Sequence, residues 1–116
     1  MKLTRLTRHA ATEPQLEAAR QLWGTDLSVQ QVDESLPNDS RAAVARFDEI
    51  AADSDIVEAV LPLNLVEAIL KFSGFAKRGG LLVRSVMNRS GEGEAVVFQF
   101  SHFERVLKVS IETERL

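Results

Sequence analysis

Three short stretches hold side chains suited to handling an anion. Thr7-Arg8-His9 sets a hydroxyl, a permanent cation and a titratable imidazole in a row. A guanidinium matches two phosphate oxygens at once, and an imidazole can give or take a proton near neutral pH. Leu61-Pro62-Leu63-Asn64 brings an amide side chain to a point where proline can open a helix. Asn88-Arg89-Ser90 adds a second cation between neutral donors. Each stretch also has a plain structural reading. His9 would be a turn residue bonded to backbone, Arg8 a solvated cation, Asn64 a helix cap, and residues 88–91 a loop turn.

The rest of the chain narrows the chemistry. With 116 residues, 45% of them hydrophobic, the expectation is one compact domain with a modest core. A homodimer is a natural way for so small a core to bury more surface. The net charge of −3 supplies no field for duplex nucleic acid or an anionic membrane, so an anion would be held by a local cluster. The absence of cysteine excludes disulfides and thiolate metal sites. Two histidines, far apart, predict no metal centre and no cofactor. No apolar run approaches the roughly 20 residues of a membrane span, and the first residues lack a signal-peptide core. The expected compartment is the cytoplasm.

Local pattern then says what must position these residues. Residues 2–7 read as a short strand. Thr12 and Gln15 form a capping box with Pro14 in the first turn, Leu16, Ala19, Leu22 and Trp23 recur at helical spacing, and Gly24 stops the helix. A second strand is predicted over 27–32. A helix capped by Asp39 or Ser40 follows, carrying Ala43, Val44, Phe47 and Ile50. Residues 56–61 are nearly all apolar, as in a central parallel strand covered on both faces. The next helix runs through Leu65, Ile69 and Phe72, and a fourth strand is predicted over 81–87. Alternation over 95–100 and 105–112, with residues 101–104 between, predicts an antiparallel hairpin. His102, in that connection, reads as structural.

Strand–helix alternation with a final hairpin predicts an α/β, Rossmann-like three-layer domain with a mostly parallel sheet. Right-handed crossovers favour the order 2-1-3-4. In such a sheet the first and third strands flank the point where chain direction reverses, and ligands bind outside their carboxyl ends. Thr7–His9 and Leu61–Asn64 leave those two ends. The sequence has no Gly-x-Gly-x-x-Gly, no P-loop and no nucleophile elbow.

"LTRHAA" after the first strand and "VLPLNLVEAIL" after the third resemble the small CRISPR-associated ring nucleases of type III systems. One branch of that group opens with a Thr-Arg-His loop and carries a Leu-Pro-x-Asn-Leu segment in mid-chain. The similarity spans about the first 70 residues, in order and spacing. The resemblance implies a dimeric relative of the CARF sensor domain, with a cyclic oligoadenylate ligand bound across the two-fold axis. It implies metal-independent cleavage to linear adenylates ending in a 2′,3′-cyclic phosphate, which switches off antiviral signalling. On that reading Arg8 holds the scissile phosphate and His9 gives a proton to the leaving 5′-oxygen or orients the 2′-hydroxyl. Thr7, Asn64, Asn88, Arg89 and Ser90 bind the ligand. Cyclic tetra-adenylate is the expected ring. The alternatives are a sensor or sink that binds the ring without cutting it, and a Rossmann-like subunit that scaffolds a partner through its hydrophobic hairpin.

Overall fold

A computed structural model describes residues 1–110 and 113–116. The strands are β1 (Lys2–Leu6), β2 (Ser28–Val32), β3 (Ile56–Ala59), β4 (Leu81–Ser90) and β5 (Val97–Arg105). The helices are α1 (Glu13–Trp23), α2 (Ser40–Ile50), α3 (Leu63–Phe72) and the single turn α4 (Gly74–Lys77). The strands form one sheet in the order β2-β1-β3-β4-β5. Pairing is parallel from β2 through β4 and antiparallel between β4 and β5. This is the mixed α/β, Rossmann-like arrangement with strand order 2-1-3-4 expected from the sequence.

Strand periodicity sends alternate side chains to opposite faces, and two cores result. The larger collects Leu6, Val57, Ala59 and Leu82 from the sheet against Phe47 and Ala51 of the α2 end, Val66 and Ile69 of α3, and Phe75 of α4. Phe47 and Phe75 meet edge to face, with centroids 5.4 Å apart. The smaller core holds Leu3, Ile56 and Val83 beneath Ala19 of α1, flanked by Trp23, Leu27, Leu81 and Phe103. Every residue of β3 is buried, because helices cover it on both sides.

The helix ends follow the local chemistry. Thr12 and Gln15 form the capping box of α1 in both directions, and Pro14 lies in its first turn. Asp39 caps α2 by accepting the Ala42 N–H at 2.9 Å. Helix α3 begins after Pro62 with no side-chain cap, so Asn64 is a first-turn residue and not its cap. The Asp48 carboxylate accepts from the Gly74 and Phe75 N–H groups at 3.1 and 3.3 Å, which ties α2 to α4.

The C-terminal part differs from expectation. The hairpin is β4 with β5, so residues 101–104 lie inside a strand and not in a turn. Residues 105–112 do not form its second arm: β5 ends at Arg105, residues 106–110 carry no strand, and 111 and 112 lie outside the described residues. Residues 88–90 extend β4, and the turn falls later, at Gly91 (φ 88°) and a 3₁₀ turn over Gly93–Ala95. Ser101 is the physical reason for the difference. Val86 pairs with His102 and Met87 with Phe100, so Ser101 is the extra residue of a β-bulge. The bulge breaks the alternation without ending the strand, and it brings Phe100 and Phe103 together at 4.9 Å between centroids.

Candidate functional site

A crevice of about 660 Å³ opens outside the carboxyl ends of β1 and β3. Thr7, Arg8 and His9 form one wall, and Val60, Leu61 and Pro62 the opposite one. Asp33, Glu34 and Leu36, between β2 and α2, close a third side, and Glu58 lies at the floor. The two motif loops therefore face each other, as the topological argument requires.

The loop after β1 is held mainly by its own polar groups. The Thr7 N–H donates to the Val32 carbonyl at 3.1 Å, and Gln31 Nε2 donates to the Thr7 carbonyl at 3.1 Å. Thr7 Oγ1 accepts the His9 N–H at 3.2 Å, which leaves its own proton free to donate outward. Arg8 and His9 are exposed, and among the described residues neither side chain has a hydrogen-bond or ion-pair partner. A guanidinium and an imidazole thus stand at the rim with their donors uncommitted.

Across the crevice, α3 begins without a side-chain cap. The Leu65 and Val66 N–H groups bond back to the Pro62 carbonyl, whereas those of Leu63 and Asn64 find no protein acceptor among the described residues. Free N–H groups at a helix start, with the positive end of its dipole, favour an anion. The third side contributes opposite charge. Glu34 is neutralised by Arg46, whose Nη2 donates to it at 2.6 Å and holds its carboxyl below the ordinary range. Asp33, exposed beside it, has no such partner among the described residues.

Of the expected site residues, Thr7, Arg8 and His9 come together with the Leu61–Pro62 turn. Asn64, in the first turn of α3, is exposed and does not line this crevice. Asn88, Arg89 and Ser90 do not join them. They lie exposed on the β4–β5 arm, paired with Gln99, Phe98 and Val97, because β4 continues past the sheet body. His102 is exposed on β5, its Nδ1 2.9 Å from Ser101 Oγ and its Nε2 3.5 Å from a Glu104 carboxylate oxygen. A second crevice of about 770 Å³ lies on the other side of residues 59–61, walled by Arg84, Glu104 and residues 105–110.

Sequence reading missed what lies beneath the first crevice. Arg5 and Glu58 form a buried ion pair, Nε to Oε1 at 3.0 Å, with only 4% and 7% of each residue exposed. Ser85 Oγ donates to Glu58 Oε2 at 2.9 Å, and Gln15 Nε2 donates to Ser85 Oγ at 3.2 Å. The signal was present in the sequence: one acid inside the apolar run "IVEAVL" must find a partner, and Arg5 is the cation at the matching strand position.

Among the described residues no group of three or more His, Asp or Glu is placed to hold a metal ion, and no helix is long and apolar enough to cross a membrane. Comparison with protein-family models, curated proteins and solved structures finds no match to this chain.

Proposed function

We propose that this protein cleaves cyclic oligoadenylate without a metal, acting in the cytoplasm as a pair of identical chains that share one ring. One observation supports the reading: Thr7, Arg8 and His9 of the first motif and Leu61 and Pro62 of the second line a single crevice. The nucleophile comes from the substrate. A ribose 2′-hydroxyl attacks the adjacent phosphorus and gives up its proton to solvent water, the bond from phosphorus to the 5′-oxygen breaks, and a 2′,3′-cyclic phosphate remains. Arg8 neutralises charge gathering on the phosphoryl oxygens, and His9 supplies the proton taken up by the leaving 5′-oxygen. The free N–H groups of Leu63 and Asn64, at the helix start just after the Leu61–Pro62 wall, are further anion donors outside the crevice lining.

The deciding experiment incubates the protein with cyclic tetra-adenylate and cyclic hexa-adenylate in excess EDTA and separates the products. Linear adenylates with a cyclic phosphate end support the reading; intact rings that also fail to bind end it. A second reading, binding without cleavage, is favoured by one feature. Among the described residues no carboxylate or carbonyl orients the His9 imidazole, whereas a catalytic histidine usually has such a partner. Tight binding with the ring recovered intact would select it.

A further inference from the structure

We infer that Arg5 and Glu58 are positioning residues for the Thr7–His9 loop: from below the crevice, their buried pair holds the His9 backbone where Arg8 and His9 can act. This rests on the ring-cleavage reading of that crevice. Arg5 and Glu58 are register partners on β1 and β3. Their polar atoms are committed inside the protein. Arg5 Nε donates to Glu58 Oε1 at 3.0 Å, Nη2 lies 3.4 Å from Oε2, and Nη1 donates to the His9 carbonyl at 2.8 Å.

The His9 backbone is therefore gripped on both sides, its N–H by Thr7 Oγ1 and its carbonyl by Arg5. The same chain of contacts reaches the far end of the loop. Glu58 accepts from Ser85, Ser85 accepts from Gln15, and Gln15 Oε1 accepts the Thr12 N–H at 2.9 Å. Residues 9 and 12 are thus fixed to three strands and a helix through one polar network. Among the described residues no non-glycine φ is positive and no peptide is cis, so hydrogen bonds and not strained backbone set the loop's path.

Stability alone does not account for this arrangement. A buried ion pair costs desolvation that its attraction barely offsets, and well-packed apolar side chains often replace one without loss. Apolar side chains at these two positions would suit the face beneath α1, but they could not hold the His9 carbonyl. The forked guanidinium does both at once, with one edge to Glu58 and another donor to the loop. A loop held in place before ligand arrives loses no further freedom on binding and presents its donors ready for the developing charge.

Two variants test this against the wild type: Arg5→Lys, and Arg5→Leu combined with Glu58→Leu. A lysine ammonium can stay paired with Glu58 but cannot also fork to the His9 carbonyl. Amide hydrogen exchange at His9 and Thr12, whose N–H groups are hydrogen-bonded at the two ends of the loop, is read without ligand, and kcat and KM are read with cyclic tetra-adenylate in EDTA. The expected result in both variants is a cooperative melt near the wild-type temperature and exchange at His9 and Thr12 faster by about tenfold. The expected fall in kcat is about tenfold or more, with KM changed less than about threefold. Unchanged exchange and kcat in both folded variants would overturn the inference. Loss of folding in Arg5→Lys would also overturn it, since the pair would then be a stability element. A wild type that cuts no ring ends the cleavage reading, and the exchange result then decides the positioning claim by itself.

Discussion

Trp23 of α1 and Phe103 of β5 lie with ring centroids 5.4 Å apart, tilted by 49°, and fasten the helix after β1 to the edge of the sheet. Phe103 also meets Phe100, so the aromatic contact runs outward along the β4–β5 arm. Phe103→Ala removes a half-buried ring, and the expected cost is about 1–3 kcal/mol, below the 3–5 of a fully buried one. Trp23 is the sole tryptophan, so its emission should move to longer wavelength in the same variant. Phe98→Ala, 63% exposed further out, should change stability by less than about 0.5 kcal/mol in urea unfolding.

Gly80 and Gly91 should resist substitution for different reasons. A Cβ at Gly80 would enter the ring of Phe75, which is wholly buried, and Gly80→Ala should cost about 1–3 kcal/mol by overpacking. At Gly91, with φ at 88°, a Cβ would meet the Ala95 carbonyl oxygen as well as backbone strain. Gly91→Ala should loosen the arm alone. Amide exchange should quicken over residues 88–99 while protection in β1 and β3 stays as in the wild type.

Arg8 is exposed and unpaired among the described residues, so Arg8→Ala should leave the melting temperature unchanged. In the EDTA assay it should lower kcat by about 10²–10³, the size expected for losing one donor to the developing charge. Arg8→Lys should restore little of that, because an ammonium cannot present two parallel N–H groups. His9→Ala should lower kcat by about 10²-fold or more and abolish the limb of the pH–rate profile that reports the acid. Retention of wild-type rates in both alanine variants would move the chemistry to other residues.

Glu34, Asp53 and Glu104 are each held below the ordinary carboxylate range, chiefly by hydrogen bonds from Arg46, Lys2 and Arg84 respectively. Their folded pKa values lie below the unfolded ones. The stability they contribute is thus present above the unfolded range and lost as pH falls through the folded values. The melting temperature should drop between about pH 5 and pH 3. Glu34→Gln should lower it slightly at neutral pH and shrink the difference between neutral and acid. The three pairs are exposed or only partly buried, so the effects are small, and 1 M salt should reduce them further.

What could be read from the chain divides along physical lines. Strands β1 to β4, helices α1 to α3 and their order were legible because caps and apolar stripes are local signals: Thr12 to Gln15, Asp39, and the run from Ile56. The crevice walls followed from topology, since β1 and β3 must neighbour each other at the reversal point. Three things were not legible. Ser101 interrupts the alternation as a turn would, and only pairing across to Val86 and Met87 marks it as a bulge. Arg89 sits two residues before a glycine and reads as a loop cation, whereas β4 carries it out along the arm. The acid in "IVEAVL" signals a buried cation partner, but only the pairing of β1 with β3 identifies Arg5 as that partner, 53 residues away.

The sheet order has a consequence for how the chain is made. Because β1 lies between β2 and β3, the loop bearing Arg8 and His9 leaves the ribosome well before the residues that face it. Until Glu58 has emerged, Arg5 carries a charge with no buried counterpart, and until Pro62 has emerged the crevice lacks its second wall. A nascent or truncated chain ending before β3 would display the Thr-Arg-His motif intact yet hold it in no defined place. The crevice is therefore completed only after β3 and the Leu61–Pro62 turn have followed β1.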